Sequence, residues 1–80
     1  MDKKIAVIAV VISKSESVEK VNDIFHTFSE FVLGRLGVPY REKGVNVISI
    51  VLDAPQETLN SLSGKLGMID GVKAKVLITK

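Results

Sequence analysis

The sequence contains no cysteine and no tryptophan, and its only aromatic residues are three phenylalanines and one tyrosine. Without cysteine the chain forms no disulfide, no thiolate metal site and no cysteine redox pair. The single histidine cannot build a histidine cluster, so we expect neither a bound metal nor a cofactor. The shortage of aromatic residues also removes the base-stacking platform that RNA-recognition domains carry on their central strands.

The sequence also has no block of charge of one sign. Eleven basic and nine acidic residues are interspersed and leave a net charge of +2, a balance that offers no basic stripe for nucleic acid or an anionic membrane. The apolar run from Ile5 to Ile12 is far shorter than the roughly 20 residues that span a bilayer. Ser13 and Lys14 follow it instead of a small-residue cleavage site. We therefore expect a cytoplasmic protein without a membrane anchor.

What the sequence does contain is valine, isoleucine and leucine, which favour β-strands. A chain of 80 residues predicts a single domain, residues 1–80, with a thin core that burial against a partner chain would strengthen. Residues 4–12 and 45–52 carry mostly apolar side chains at both odd and even positions, which lie on opposite faces of a strand. This pattern is typical of central strands that are covered on both faces. Residues 31–38 and 72–79 predict two more strands, and we expect Pro39-Tyr40 to interrupt the first of these.

Two segments have the period of an amphipathic helix. The first runs from Glu16 to Glu30, with Ser13 or Ser15 as its expected cap, and its apolar stripe is Val18, Val21, Ile24, Phe25 and Phe28. The second is expected to start at an Asp53 cap with Pro55 in its first turn, and its stripe is Leu59, Leu62 and Leu66. Asp70-Gly71 predicts a turn before the last strand.

The resulting order predicts an α+β, ferredoxin-like βαββαβ fold, in which a four-stranded antiparallel sheet carries both helices on one face. Half of the first strand must then face away from the helices, either Ile5, Val7, Ala9 and Val11 or the alternating set Ala6, Ile8, Val10 and Ile12. An apolar sheet face of this kind requires a cover. We therefore predict a homo-oligomer, a dimer or tetramer, that buries the open sheet face or pairs sheet edges.

No segment has the pattern of a catalytic site, and we predict that the chain is not an enzyme. The carboxylates are scattered along the first helix, and no serine lies in a nucleophile elbow. His26 is interpreted as a surface or interface histidine whose role the sequence leaves open.

The segment from Gly34 to Gly44 brings cationic and aromatic residues together, and its Arg35, Tyr40, Arg41 and Lys43 are our candidate site for a small ligand or a protein partner. The other interpretation is a bulged hairpin with a charged tip. An alternative function is direct nucleic-acid binding through the same cations, which we do not expect from this chain alone. Structural roles are expected for the glycines Gly34, Gly37, Gly44, Gly64, Gly67 and Gly71, including close approach of the second helix to the sheet at Gly64.

Three segments carry a resemblance to a known family: VEKVNDIFHTFSE, GRLGVPYREKGVNVISIVLD and LNSLSGKLGMIDGVKAKVLITK. They resemble the iron-only hydrogenase system regulators, small ACT-like proteins of ferredoxin-like fold that are assigned a role in transcriptional regulation. The resemblance covers nearly the whole chain. It implies a role in regulation of the iron-only hydrogenase system. Together with the apolar sheet face and the candidate site, it leads us to expect a regulatory or sensor module that acts as an oligomer and binds a small effector or a protein partner.

Known binding sites of similar proteins do not transfer to this sequence. Ser13-Lys14-Ser15-Glu16 lacks the glycine of the ACT loop that binds amino acids, and the histidines and cysteine of the nickel-responsive repressors are missing. The βαββαβ unit also leaves no room for a helix-turn-helix. The ligand, any DNA contact, the target genes and the oligomer order are therefore open.

Overall fold

The computed structural model describes residues 2–79. Its main elements are β1 (Lys3–Ile12), α1 (Glu16–Thr27), β2 (Val32–Tyr40), β3 (Val45–Pro55), α2 (Gln56–Gly67) and β4 (Val72–Ile78). Short 3₁₀ turns, Ser29–Phe31 and Arg41–Lys43, precede β2 and β3. The strands lie in the order β2-β3-β1-β4, and each neighbouring pair is antiparallel. The predicted ferredoxin-like α+β fold is confirmed, with β1 and β3 at the centre.

The core lies between the two helices and one face of the sheet. Ile8 of β1 pairs with Ile50 of β3, and both side chains are completely buried. The same face of β1 contributes Ala6, Ile8, Val10 and Ile12, none more than 1% exposed. From the helices come Val21, Phe25, Leu59, Leu62 and Leu66. Each large aliphatic side chain buried here stabilises the fold by about 1.5–3 kcal/mol.

The alternating set of β1 lies on the opposite face of the sheet, which neither helix of the described residues covers. Ile5 is 41% exposed and Val11 is 39% exposed. We define the open face by the residues that share this side: Ile5, Val7, Ala9 and Val11 of β1, Val45, Val47, Ser49 and Val51 of β3, Leu36, Val38 and Tyr40 of β2, and Lys73, Lys75 and Leu77 of β4.

The predicted stripe of α2 is confirmed, because Leu59, Leu62 and Leu66 are buried. The alternation along β4 is also as predicted, with Val72, Ala74, Val76 and Ile78 half-buried and Lys73 and Lys75 exposed.

Two predicted boundaries near α1 and β2 are wrong. The first helix ends at Thr27, not Glu30, because a 3₁₀ turn takes over before β2. Pro39 and Tyr40 do not interrupt the second strand but belong to β2. Since β2 is an edge strand, a proline without an N–H is tolerated within it.

The predicted start of the second helix is wrong too. Asp53 and Pro55 lie in β3, where they pair with Ile5 and Lys3 of β1, and α2 begins at Gln56. Neither helix has a side-chain cap hydrogen bond. Ser13, an expected cap of α1, instead donates its hydroxyl to the carbonyl oxygen of Gly71 at 3.1 Å.

Positive φ angles occur at two glycines of the described chain, Gly44 (φ +63°) and Gly71 (φ +78°), both next to a strand. At Gly71 a Cβ would also lie 2.6 Å from Cγ of Lys14, so both conformation and space favour glycine there. A Cβ on Gly64 would have nothing within 4 Å, so the expected close approach of the second helix to the sheet is wrong. Gly67 is the last residue of α2.

The turn after β1 is joined to the turn before β4. The Ser13 N–H donates to the Gly71 carbonyl at 2.8 Å, and the buried Ser17 hydroxyl donates to the Asp70 carbonyl at 2.6 Å. Lys14 forms an ion pair with the Asp70 carboxylate. These contacts fix the start of α1 against the turn before β4. Neither helix of residues 2–79 is long and apolar enough to cross a membrane.

Candidate functional site

The four candidate residues Arg35, Tyr40, Arg41 and Lys43 do not share one face of the sheet. Arg35 pairs with Ile50, so its side chain lies on the helix side. Tyr40 pairs with Val45 on the open face. Five residues of strand separate Arg35 from Tyr40 by about 17 Å, and Arg41 and Lys43 lie in the 3₁₀ turn beyond Tyr40. The structure therefore divides the segment into two sites.

The first site is the tip formed by Tyr40 and the turn after it. The Tyr40 hydroxyl donates to the Glu42 carboxylate at 3.1 Å, and the Gly44 N–H donates to the Arg41 carbonyl at the same distance. Tyr40 and Arg41 border a shallow cavity of about 290 Å³ together with Ser15, Pro39, Gly44, Val45 and Asn46. This tip adjoins the rim of the open face.

The second site surrounds Arg35 and involves α1. The guanidinium carbon lies 5.4 Å from the centroid of the Phe25 ring, within the range of a cation–π contact. Its Nη2 donates to the Asn22 side-chain oxygen at 2.8 Å. The ring and the amide together hold the guanidinium in one orientation.

Cavities lie on both sides of the Arg35–Asn22 hydrogen bond. One, of about 360 Å³, is bordered by Asn22, Phe25, His26, Ser29, Val32, Arg35 and Ile50. A neighbouring cavity of about 210 Å³ shares Asn22 and Arg35 and extends along Val18, Gly37, Val38, Pro39, Asn46, Val47 and Ile48. We call these two cavities together the α1–β2 groove.

Asn22 and Ser29 are site residues that no sequence motif indicated, and His26 had no predicted partner. The three residues follow one another at i, i+4 and i+7, so helical spacing alone places them on one side of the first helical segment. Their neighbour Arg35 belongs to a separate strand. Only the packing of α1 against the sheet brings the two elements together.

A further cavity and an ion pair lie on the surface at one end of the sheet. A cavity of about 360 Å³ lies at one end of the sheet, bordered by Val11, Ser13, Val45, Gly71, Val72 and Lys73. At the nearby ion pair, the hydrogen bond and charge of Lys14 lower the pKa of Asp70, and Asp70 raises the pKa of Lys14 in the same way. Within residues 2–79, no three histidine, aspartate or glutamate side chains are grouped so that they can hold a metal ion.

Comparison with known proteins identifies the family. The model of the TM1266-like family, described as iron-only hydrogenase system regulator, matches residues 4–76. The chain belongs to this family. The structure of the uncharacterized protein TM1266 from Thermotoga maritima is 36% identical in sequence and has a TM-score of 0.94, and the match covers 99% of this chain and all of that one. The resemblance seen in the sequence is thereby confirmed.

More distant structures share only the fold of this TM1266-like protein. A formyltetrahydrofolate deformylase from Pseudomonas putida KT2440 matches 91% of this chain with 28% of its own, at 10% identity and a TM-score of 0.66. The de novo designed protein Foldit4 matches 99% of this chain with 98% of its own, at 15% identity and a TM-score of 0.58. No curated protein matches the chain.

Proposed function

We propose that this member of the TM1266-like family is a cytoplasmic, non-enzymatic, ACT-like regulatory module of the iron-only hydrogenase system. It acts as a homo-oligomer that binds a small effector or a protein partner. Family membership supports the regulatory role. The observation that supports the oligomer is the apolar open face, which no element of residues 2–79 covers.

The composition and size of the open face support this assembly. Leu36 is 66% exposed, Val38 47% and Leu77 70%. These side chains lie on the same face as the apolar residues of β1 and β3, so the exposed apolar surface is continuous. Four strands spaced about 4.8 Å apart and about nine residues long give a footprint of about 600 Å². Contiguous apolar patches beyond a few hundred Å² mark interaction sites, and about 600 Å² on each partner falls at the lower end of specific interfaces.

The sheet edges are less suited to assembly than the open face. β2 carries Pro39 and has a register irregularity between Val32 and Gly34. β4 presents the exposed Lys73 and Lys75 at the other edge, where they form one rim of the open face. Lysine, proline and bulges on edge strands are devices that prevent strand addition. We therefore propose that two copies pack open face against open face.

The distribution of positive charge favours regulation through a partner over direct nucleic-acid binding. Arg35 lies on the helix side, and Arg41 and Lys43 lie at the tip beside β2. Lys73 and Lys75 lie on the opposite edge of the sheet. Direct phosphate binding would show a steep loss of affinity with salt, which gel shifts of promoter DNA at low and high salt would detect.

Light scattering of the parent protein and of Val47→Lys tests the oligomer. Val47 pairs with Val11 on the two central strands of the open face. A buried lysine without a partner is strongly unfavourable, so we expect the parent to have at least twice the monomer mass at micromolar concentration and Val47→Lys to be a folded monomer.

Met68→Lys is the matched control, because Met68 is 87% exposed and follows α2, away from the open face. It should keep the parent mass. A monomeric parent, or a Val47→Lys variant that retains the parent mass, contradicts the proposed assembly. Circular dichroism verifies that each variant is folded.

A further inference from the structure

Arg35 is a cation without a carboxylate partner in the described chain. Among residues 2–79 the one ion pair joins Lys14 and Asp70. A guanidinium has five N–H donors, and the Asn22 amide accepts from one of its terminal nitrogens. The exposed Arg35 therefore combines two contacts that orient its guanidinium with unused donors, and both features suit the binding of an anion.

The surroundings of Arg35 in the α1–β2 groove are amphipathic. Accessible apolar surface comes from the half-buried Val32 and Val18, above the buried Phe25 and Ile50, whereas His26 and Ser29 add polar residues to the lining. The cavity of about 360 Å³ is within the usual size range of small-molecule sites. A Cβ on Gly37 would meet nothing within 4 Å, so the neighbouring part of the groove is unobstructed as well.

We propose that the α1–β2 groove binds a small organic monocarboxylate with an apolar body. The fork of a guanidinium matches the two oxygens of a carboxylate. One arginine balances one negative charge, whereas a phosphate dianion would call for a second fixed cation. The apolar surface beside the arginine accommodates an aliphatic or aromatic body. This proposal rests on the proposed function, in which the α1–β2 groove is the site that binds the effector.

Arg35 and the larger cavity of the groove lie on the helix side of the sheet, whereas Val38 and Val47 of the open face border only the smaller cavity. Arg35 and Ile50 are on the helix side, and Val47 is on the open face. Packing of two open faces therefore leaves Arg35 and the larger cavity accessible to ligand. Substitutions at the two places separate the two proposals, because each can fail while the other holds.

NMR titration of the full chain with benzoate tests the site. We expect benzoate to shift the backbone amides of Asn22, His26, Arg35 and Gly37. Benzamide, which has the same shape without the charge, should shift them far less. Inorganic phosphate should bind more weakly than benzoate. Removing a charge-assisted hydrogen bond costs about tenfold or more in affinity, so Arg35→Gln should weaken benzoate binding by at least that factor.

Two variants make the test specific. Arg41→Gln removes the same charge from the tip outside the groove and should bind benzoate as the parent does. Arg35→Lys keeps the charge without the fork and should bind more weakly than the parent. Equal binding by Arg35→Gln and the parent, equal shifts by benzamide and benzoate, or phosphate binding as tight as benzoate would overturn the proposal. Light scattering on the same Arg35→Gln sample should give the parent mass, which keeps the test independent of the oligomer.

Discussion

The two faces of the sheet have similar side chains and opposite surroundings. Along β1, Ile8 and Ile12 are fully buried under the helices, whereas their neighbours Ile5 and Val11 are 41% and 39% exposed on the open face. A strand that faces water on one side normally alternates apolar and polar residues. β1 is apolar on both of its faces, so its sequence is suited to burial on both sides of the sheet. The helices bury one of these sides.

The largest expected effect comes from truncating a side chain on the covered face. Ile8→Ala leaves a cavity among fully buried residues and should lower the free energy of unfolding by about 2–5 kcal/mol. Val7→Ala, one residue away on the open face, should cost less than about 1 kcal/mol in a monomer. Urea denaturation in the monomeric Val47→Lys background measures both. Similar losses at the two positions would mean that the faces are not distinct.

A smaller effect is expected where α1 is held to the turn before β4. Ser17 is 2% exposed and donates to the Asp70 carbonyl. Ser17→Ala removes that hydrogen bond and should lower the free energy of unfolding by about 1 kcal/mol. Ser15→Ala is the matched control, since Ser15 is exposed and makes no side-chain cap hydrogen bond. Denaturation curves that shift equally for both variants would show that the buried hydroxyl has no special role.

The smallest effect is expected at the exposed ion pair of Lys14 and Asp70, and it depends on pH. Lys14 lowers the pKa of Asp70 below its ordinary 3.8, so this contribution is present above that value and disappears as the pH falls through the lowered pKa. The pKa of Lys14 is raised above 10.5, so its contribution is full below that value and disappears as the pH rises through the raised pKa.

Asp70→Asn should therefore be slightly less stable than the parent at neutral pH and equal to it in strong acid. Salt should reduce the neutral-pH difference, because the pair is exposed to solvent. Unfolding free energies of both proteins across the acid range measure this. A difference that is unchanged in strong acid would refute the assigned cause.

Local patterns were sufficient for the fold but not for every boundary. Apolar residues at both parities identified β1 and β3 as central strands, and helical spacing identified the stripe of α2. Asp53-Ala54-Pro55-Gln56 has the local pattern of a helix start, yet Asp53, Ala54 and Pro55 pair with β1 and extend β3. Tertiary pairing here overrides a local capping preference, because the antiparallel register with β1 continues through Pro55 and leaves Asp53 three residues before the start of α2.

The candidate site was predictable only in part. Arg35 and Tyr40 are an odd number of residues apart, so a regular strand places them on opposite faces, and this alternation could have separated them from sequence. The register irregularity before Gly34 lies outside that interval. The contact of Arg35 with Asn22 and Phe25 depends on where α1 crosses β2, which no local pattern encodes.

The most direct test of the proposed packing is an isotope-filtered NOE experiment on equal amounts of labelled and unlabelled chain, refolded together. Contacts between chains are expected for the methyl groups of Val7, Val11, Val47 and Val51, and not for those of Ile8 and Ile50. Intermolecular contacts confined to β2 or β4, or none at micromolar to millimolar concentration, would contradict assembly through the open face.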